Sequence, residues 1–324
     1  MKRVLLTGAA GLIGNRITHL LLEQGHEVTG IDNMNDYYDP RLKEWRLETL
    51  SQYKNFSVFR ADITDLVFLK DLFTKHPFDV VINMAARAGV RASVEDPWVY
   101  LDTNIKGTLN LLECCRDVGI KKVIQASTSS LYSFNEMPFV ETQRSDTPLS
   151  PYGATKKGAE VLSYTYHYLF GINVTIPRYF TVYGPAGRPD MSIFKFMRNI
   201  DTNKPIPVFG DGKQTRDFTY IDDIAEGTVR CIDLEGYEII NFGNDNSVQL
   251  MYVINLIEDA LGKKAEIKWL ERHPADVTAT WAGIEKAKKM LGWRPVVKIE
   301  EGIEKTVRWY RDNRDFILSL KEVA

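Results

Sequence analysis

Tyr152 and Lys156 stand four residues apart in the segment SPYGATKKGAE, residues 150–160. At helical spacing, residues i and i+4 share one face, so a phenol and an ammonium reach a single site. A phenol with its ordinary pKa near ~10 is a poor base at neutral pH, and a neighbouring ammonium favours the phenolate. The pair is therefore a candidate for proton transfer. The same spacing also describes a surface tyrosine beside a solvated lysine, and the surrounding segments decide between the two.

Upstream, ASTSSLY supplies Thr128, Ser129 and Ser130 directly after an apolar run. In a parallel sheet that strand end lies on the ligand side. At the beginning of the chain, TGAAGLIGN sets Gly8, Gly11 and Gly14 in a G-x-x-G-x-x-G pattern, with Leu12 and Ile13 between the last two. Such glycines allow a tight turn and let a pyrophosphate approach backbone N–H groups at a helix start. The next apolar run, EVTGID, ends at Asp32 and is followed by Asn33. A carboxylate there accepts hydrogen bonds from an adenosine ribose and repels a 2′-phosphate, which selects NAD over NADP.

These residues need a scaffold that gathers strand ends. The runs RVLLTG, EVTGID, FSVFRAD, DVVINMA, KVIQAS and NVTIPRY alternate with amphipathic segments. That order predicts an α/β protein with a Rossmann-type, doubly wound parallel sheet over residues 1–180. From about residue 180 the pattern turns to loops, short strands and dispersed helices, including TVYGPAGRPDM, PIPVFGDGKQTRDFTY and HPADVTATW. Residues 181–324 are expected to form mainly a smaller, partly interwoven α/β substrate-binding cap, with segments near 213–245 returning to the first domain. Helical patterns at 251–262 and 300–320 complete the chain.

The 324 residues are 44% hydrophobic and 26% charged, enough for a large core, and the formal net charge of −2 argues against nucleic acid as a main partner. No apolar run reaches membrane-spanning length, and the first apolar stretch is too short for a signal peptide. Cys114, Cys115 and Cys231 suit neither a disulfide framework nor a metal knot, so a reducing cytoplasm is the expected setting. His19, His26, His76, His167 and His273 show no metal-ligand spacing.

Along essentially its whole length the chain resembles the extended short-chain dehydrogenase/reductases. Within them it looks like the UDP-glucuronate 4-epimerases, on the segments IDNMNDYYDPRLK, AARAGVR, YGATKK, RYFTVYGPAGRPDM and RDFTYIDDI. The resemblance implies that Tyr152 is the base, that Lys156 holds the nicotinamide ribose and lowers the Tyr152 pKa, and that Thr128 bonds the reacting hydroxyl. It places Asp62 and Ile63 by the adenine, Ala85 and Ala86 on the cofactor wall, Asn104 in site support and Tyr179 near the nicotinamide. Ile63 and Ala86 would also suit plain packing.

A nucleotide sugar brings a diphosphate and, for a uronate, a carboxylate, both matched by arginine's planar fork. Arg188, Arg216 and Arg272 are the candidates, Asp276 suits a sugar or ribose hydroxyl, and Ser129 and Ser130 join Thr128 at the substrate. Thr181 stands where many hexose epimerases carry asparagine, leaving room for a C6 carboxylate. Three positions depart from the pattern: Ser133 in place of a frequent glycine, Gly283 in place of a common aspartate, and no glycine before Asp276.

The implied activity is NAD-dependent C4 epimerisation of a UDP-hexuronate through a 4-keto intermediate. UDP-hexose 4-epimerase, UDP-glucuronate decarboxylase and a non-catalytic NAD-binding regulator are the alternatives. A homodimer built from the helices near 98–118 and 153–169 is implied as well.

Overall fold

The computed structural model describes residues 1–272 and 276–322, so His273 lies outside the described residues. Strand β1 (Arg3–Thr7) carries Val4, Leu5 and Leu6, all fully buried. An unbroken apolar strand suits a sheet covered on both faces, and β1 accordingly lies inside one. It pairs in parallel with β2 (Glu27–Asp32) on one side, which pairs in turn with β3 (Phe56–Arg60). On the other side lies β4 (Val80–Asn83), followed by β5 (Lys122–Gln125) and β7 (Asn173–Tyr179), while the two-residue β6 (Ser127–Thr128) pairs with β7 near its end.

Beyond residue 180 the chain leaves this sheet. The strands β8 (Thr181–Tyr183), β9 (Ile206–Phe209) and β10 (Thr215–Tyr220) come next, and then β11 (Tyr237–Phe242) returns to pair with β7 over its full length. Strand β12 (Ser247–Gln249) joins β10 and β8 in a three-stranded sheet, and β13 (Ile267–Leu270) pairs with β9. Among the described residues the main sheet has eight strands, ordered β11-β7-β5-β4-β1-β2-β3 with β6 beside β7. The chain reverses direction across the sheet between β1 and β4, and a crevice opens above the C-terminal strand ends at such a point.

The cap has a separate apolar cluster, in which Phe194, Met197, Val208, Ile254 and Tyr310 pack together. Among its helices, Leu250–Leu261 matches the pattern read from the sequence and stops at Gly262, which takes the left-handed conformation. The pattern over 300–320 divides instead into Ile299–Asp312 and Arg314–Ser319. Asn313 sits at the break, where its backbone N–H and its Nδ2 both donate to the Trp309 carbonyl, at 3.1 and 2.9 Å.

Two of the departures acquire a physical meaning. Ser133 has φ 54°, in the region that glycine occupies most cheaply, and its hydroxyl donates to the Thr147 carbonyl at 2.6 Å. Gly283 lies where a Cβ would come within 2.8 Å of Val140 and 3.1 Å of the Phe139 carbonyl, because residues 139 and 282 form a parallel bridge. Any side chain at 283 would push this contact apart.

Candidate active site

The helix Pro151–Phe170 begins with Ser150 as its cap, the hydroxyl accepting from the Gly153 N–H at 3.1 Å, and with Pro151 in its first turn. Its first turns point Tyr152 and Lys156 into a cleft of about 920 Å³ that runs between the main sheet and the cap. Thr128 reaches the same cleft from the end of β6, where it pairs with Tyr179 of β7. The Thr128 hydroxyl donates to Ser130 Oγ and accepts from the Ser130 N–H, both at 3.2 Å.

Burial pushes the Tyr152 phenol up, opposed by a hydrogen bond with Thr128 and by the charge of Arg188. The opposition thus comes from Thr128 and Arg188, whereas the resemblance implied Lys156. Burial also lowers Lys156, to about 8, with the Glu160 carboxylate holding it up against that effect. Lys156 is 3% exposed, so its ammonium is desolvated and available for a buried polar partner.

The opposite end of the cleft is shaped by the glycines. Gly8 has φ +70°, and a Cβ at Gly14 would lie 2.1 Å from the Gly8 carbonyl oxygen. Only hydrogen fits there, and the turn brings β1 directly against the helix Leu12–Glu23. Gly11 caps this helix without a side-chain hydrogen bond, leaving the first N–H groups, those of Leu12, Ile13 and Gly14, to face the cleft. The cradle fits a pyrophosphate.

Asp32 closes β2 beside this turn, its Oδ2 accepting from the Ala10 N–H at 3.1 Å and its Oδ1 from the Met34 N–H at 2.9 Å. Asn33 donates to Asp62 Oδ2 at 2.7 Å. Burial pushes Asp62 up, but bonds from Asn33 and Thr64 outweigh it and hold the carboxyl below its ordinary range. Ile63, Ala85 and Ala86 line the same end, and Ile63 also fills the space over Gly107.

Asn104 lies behind the wall. Its side chain clasps the Arg87 backbone, accepting at 2.9 Å and donating at 3.1 Å, and bonds Thr155 at 3.0 Å. Tyr179 lines the cleft with its hydroxyl 2.8 Å from Thr228 Oγ1.

On the cap side, Thr181, Arg188, Arg216, Arg272 and Asp276 all reach the cleft, as do Ser129 and Ser130 opposite. Arg188 is committed in part: Nε and Nη2 donate to Asp190 at 3.0 and 2.5 Å, and Nη2 also donates to the Ala88 carbonyl. Arg216 donates to the carbonyls of Thr215 and Val277, each at 2.8 Å, and burial lowers its pKa. Asp276 is held by Arg91 through bonds of 2.5 and 3.3 Å, and the Arg91 guanidinium lies 3.6 Å from the Phe209 ring centre.

Arg91, Asp190, Tyr37 and Lys43 are site residues that spacing and motif reading missed. Lys43 Nζ is 3.7 Å from Asp32, and the Tyr37 ring lies under Arg87 at 4.9 Å and Arg188 at 5.7 Å. The four-residue interval from Arg87 to Arg91 was visible in AARAGVR, and Asp190 is two residues from Arg188. The pairing of Arg91 with Asp276 spans 185 residues and has no local signature. Among the described residues no cluster of three histidines, cysteines or acids is placed to hold a metal ion.

The family model described as GDP-mannose 4,6 dehydratase matches residues 5–306. UDP-glucuronate 4-epimerase of Thermodesulfobacterium geofontis is 55% identical over 322 residues, 99% of this chain and 100% of that protein. A crystal structure of UDP-glucuronic acid 4-epimerase from Bacillus cereus, in complex with UDP-glucuronic acid and NAD, superposes with a TM-score of 0.91 at 37% identity, covering 96% of this chain and 99% of that one. UDP-glucose 4-epimerase from Thermotoga maritima, solved with UDP-glucose, gives 0.87 at 29% identity, covering 96% and 99%.

Proposed function

The chain belongs to the NAD-dependent epimerase/dehydratase family whose model is described as GDP-mannose 4,6 dehydratase, and from that premise we infer that it interconverts UDP-glucuronate and UDP-galacturonate. The observation that carries the reading is the meeting of Tyr152, Lys156 and Thr128 in one cleft with Thr181 and Arg188. Residues 1–180, with the segment near 213–245, serve as the cofactor half in this account, and the remainder of 181–324 as the sugar-binding cap.

NAD, when bound, supplies a reversible acceptor for the C4 hydride. Gly8, Gly11 and Gly14 hold its pyrophosphate end and Asp32 its adenosine ribose. Tyr152 takes the proton of the C4 hydroxyl, with Thr128 orienting that hydroxyl, and returns a proton once the 4-keto sugar has turned its other face. Lys156 supplies a buried ammonium for the nicotinamide ribose, while the hydrogen bond with Thr128 and the charge of Arg188 favour the phenolate, which is what makes a tyrosine useful as a base near neutral pH.

A 4-keto uronate is a β-keto acid, prone to lose CO₂. In this reading Thr181 and Arg188 hold its carboxylate, a role supported by Arg188 Nη1, which takes no part in the bonds to Asp190 and Ala88. One charge-assisted hydrogen bond of this kind contributes about 1.5–3 kcal/mol. Arg216, Arg272 and Asp276 take the nucleotide end. The chain acts as a homodimer in the cytoplasm in this account, and the exposed apolar side chains Trp98, Leu101, Leu109, Val161, Tyr164 and Tyr168 on the helices near 98–118 and 153–169 support the dimer.

Incubation with a panel of UDP-, dTDP- and GDP-sugars, with products identified by NMR and mass, tests the assignment. UDP-galacturonate from UDP-glucuronate is the expected product. Turnover of UDP-glucose at a matching or higher rate would transfer the chemistry to hexoses, and release of a pentose with CO₂ would make the protein a decarboxylase.

A further inference from the structure

Tyr152, Lys156 and Glu160 recur at intervals of four along the helix Pro151–Phe170. Glu160 is the member of this row that proton transfer leaves unused, and it is 1% exposed. Its carboxylate is fully engaged. Oε1 accepts from Ser127 Oγ at 2.7 Å and from Arg178 Nε at 2.8 Å. Oε2 accepts from Arg178 Nη2 at 2.7 Å and Lys157 Nζ at 3.2 Å. Arg178 is equally buried and lies over the Tyr132 ring at 4.9 Å.

The partners of Glu160 are the sequence neighbours of cleft residues. In the β6–β7 ladder Ser127 stands opposite Arg178, and Thr128 opposite Tyr179. Because side chains alternate along a strand, Ser127 and Arg178 turn towards the helix and bond Glu160, Ser127 at the edge of the cleft, while Thr128 and Tyr179 turn to the opposite side and line it. We propose that Glu160 is a positioning residue, whose bonds to Ser127 and Arg178 lock the helix carrying Tyr152 and Lys156 in register with the strand end carrying Thr128. A buried ion pair is weak evidence for stability as such, because desolvation offsets its attraction. What a bidentate arginine–carboxylate pair supplies is fixed geometry, and displacement of reacting groups by about 1 Å costs on the order of 10²-fold in rate.

This role rests on the assignment of Tyr152 and Thr128 to the chemistry, so Tyr152→Phe is measured beside the test variants, with whichever nucleotide sugar the wild type turns over. Ser127→Ala removes the bond from Glu160 to the Thr128 strand and leaves the Glu160–Arg178 pair intact. Glu160→Gln removes the charge. Tyr237→Phe is the control, because the Tyr237 hydroxyl donates only to the Glu160 backbone carbonyl, at 3.1 Å.

Ser127→Ala is expected to stay folded and to keep bound NAD and a KM within about twofold of wild type, while kcat falls about 10-fold to 100-fold. Glu160→Gln should follow the same split if it folds, and Tyr237→Phe should behave as wild type. Wild-type kcat in Ser127→Ala, or a loss shared equally by KM and cofactor content, overturns the positioning role. Full turnover by Tyr152→Phe would instead remove the base assignment on which it rests.

Discussion

At the scale of single residues, the proposed proton transfer uses a phenol that burial makes harder to ionise and an ammonium that burial makes easier to lose. Tyr152→Phe removes the proton acceptor without emptying the space, so the fold and bound NAD should persist while kcat falls by at least the ~10²–10⁴-fold typical of acid–base catalysis. Steady-state rates with calorimetric NAD titration check this. In the role proposed for it Lys156 acts as an ammonium, and burial lowers its pKa to about 8. Below that value the ammonium is present, and above it the charge is lost, so kcat/KM is expected to decline as pH rises through about 8. A profile flat to pH 10 would show that Lys156 acts without its charge. The four-residue spacing of Tyr152 and Lys156 made this pair legible in the sequence. The partners of Arg188 and Asp276 were not legible, because Asp190 looked like an ordinary loop acid and Arg91 arrives from a distant segment.

At the scale of elements, the glycine turn is the most constrained feature of the cofactor half. Gly14→Ala would place a methyl 2.1 Å from the backbone oxygen of Gly8, which no rotamer change relieves. The expected result is a loss of about 1–3 kcal/mol in stability, read by denaturant unfolding, together with loss of NAD binding as the helix start moves off the turn. Unaltered NAD affinity would mean that the helix start does not hold the pyrophosphate. The main strands could be read directly, since apolar runs such as RVLLTG and DVVINMA are buried on both faces and need no alternation. The cap was harder to read. Strand β10 joins β8 and β12 in their own small sheet, a tertiary choice, and the break at Asn313, where backbone and side chain share one carbonyl, leaves no mark on the apolar pattern.

At the scale of the whole molecule, the helices Gly107–Val118 and Pro151–Phe170 carry apolar groups on their outer faces, Tyr168 at 75% exposure and Val161 at 54%. Exposed apolar side chains gathered on neighbouring helices are of the kind that marks association surfaces. Light scattering is expected to give twice the 37.0 kDa chain mass, and Val161→Asp should shift it towards the monomer. A monomeric wild type would remove the dimer. Among the described residues no helix is long and apolar enough to cross a membrane. The cleft is lined from both halves, by Gly8, Gly11 and Gly14 on one side and by Arg188 and Arg272 on the other, so in the proposed function sugar and cofactor meet only when both are folded.

The central claim is that C4 of a UDP-hexuronate is inverted by hydride leaving one face and returning to the other within a single bound cycle. UDP-glucuronate carrying deuterium at C4 tests this directly, with the product followed by NMR and mass. The account predicts UDP-galacturonate that keeps the deuterium at C4, with no net accumulation of NADH and no CO₂. UDP-galacturonate whose C4 carries hydrogen from solvent, or a pentose product with CO₂, would contradict it.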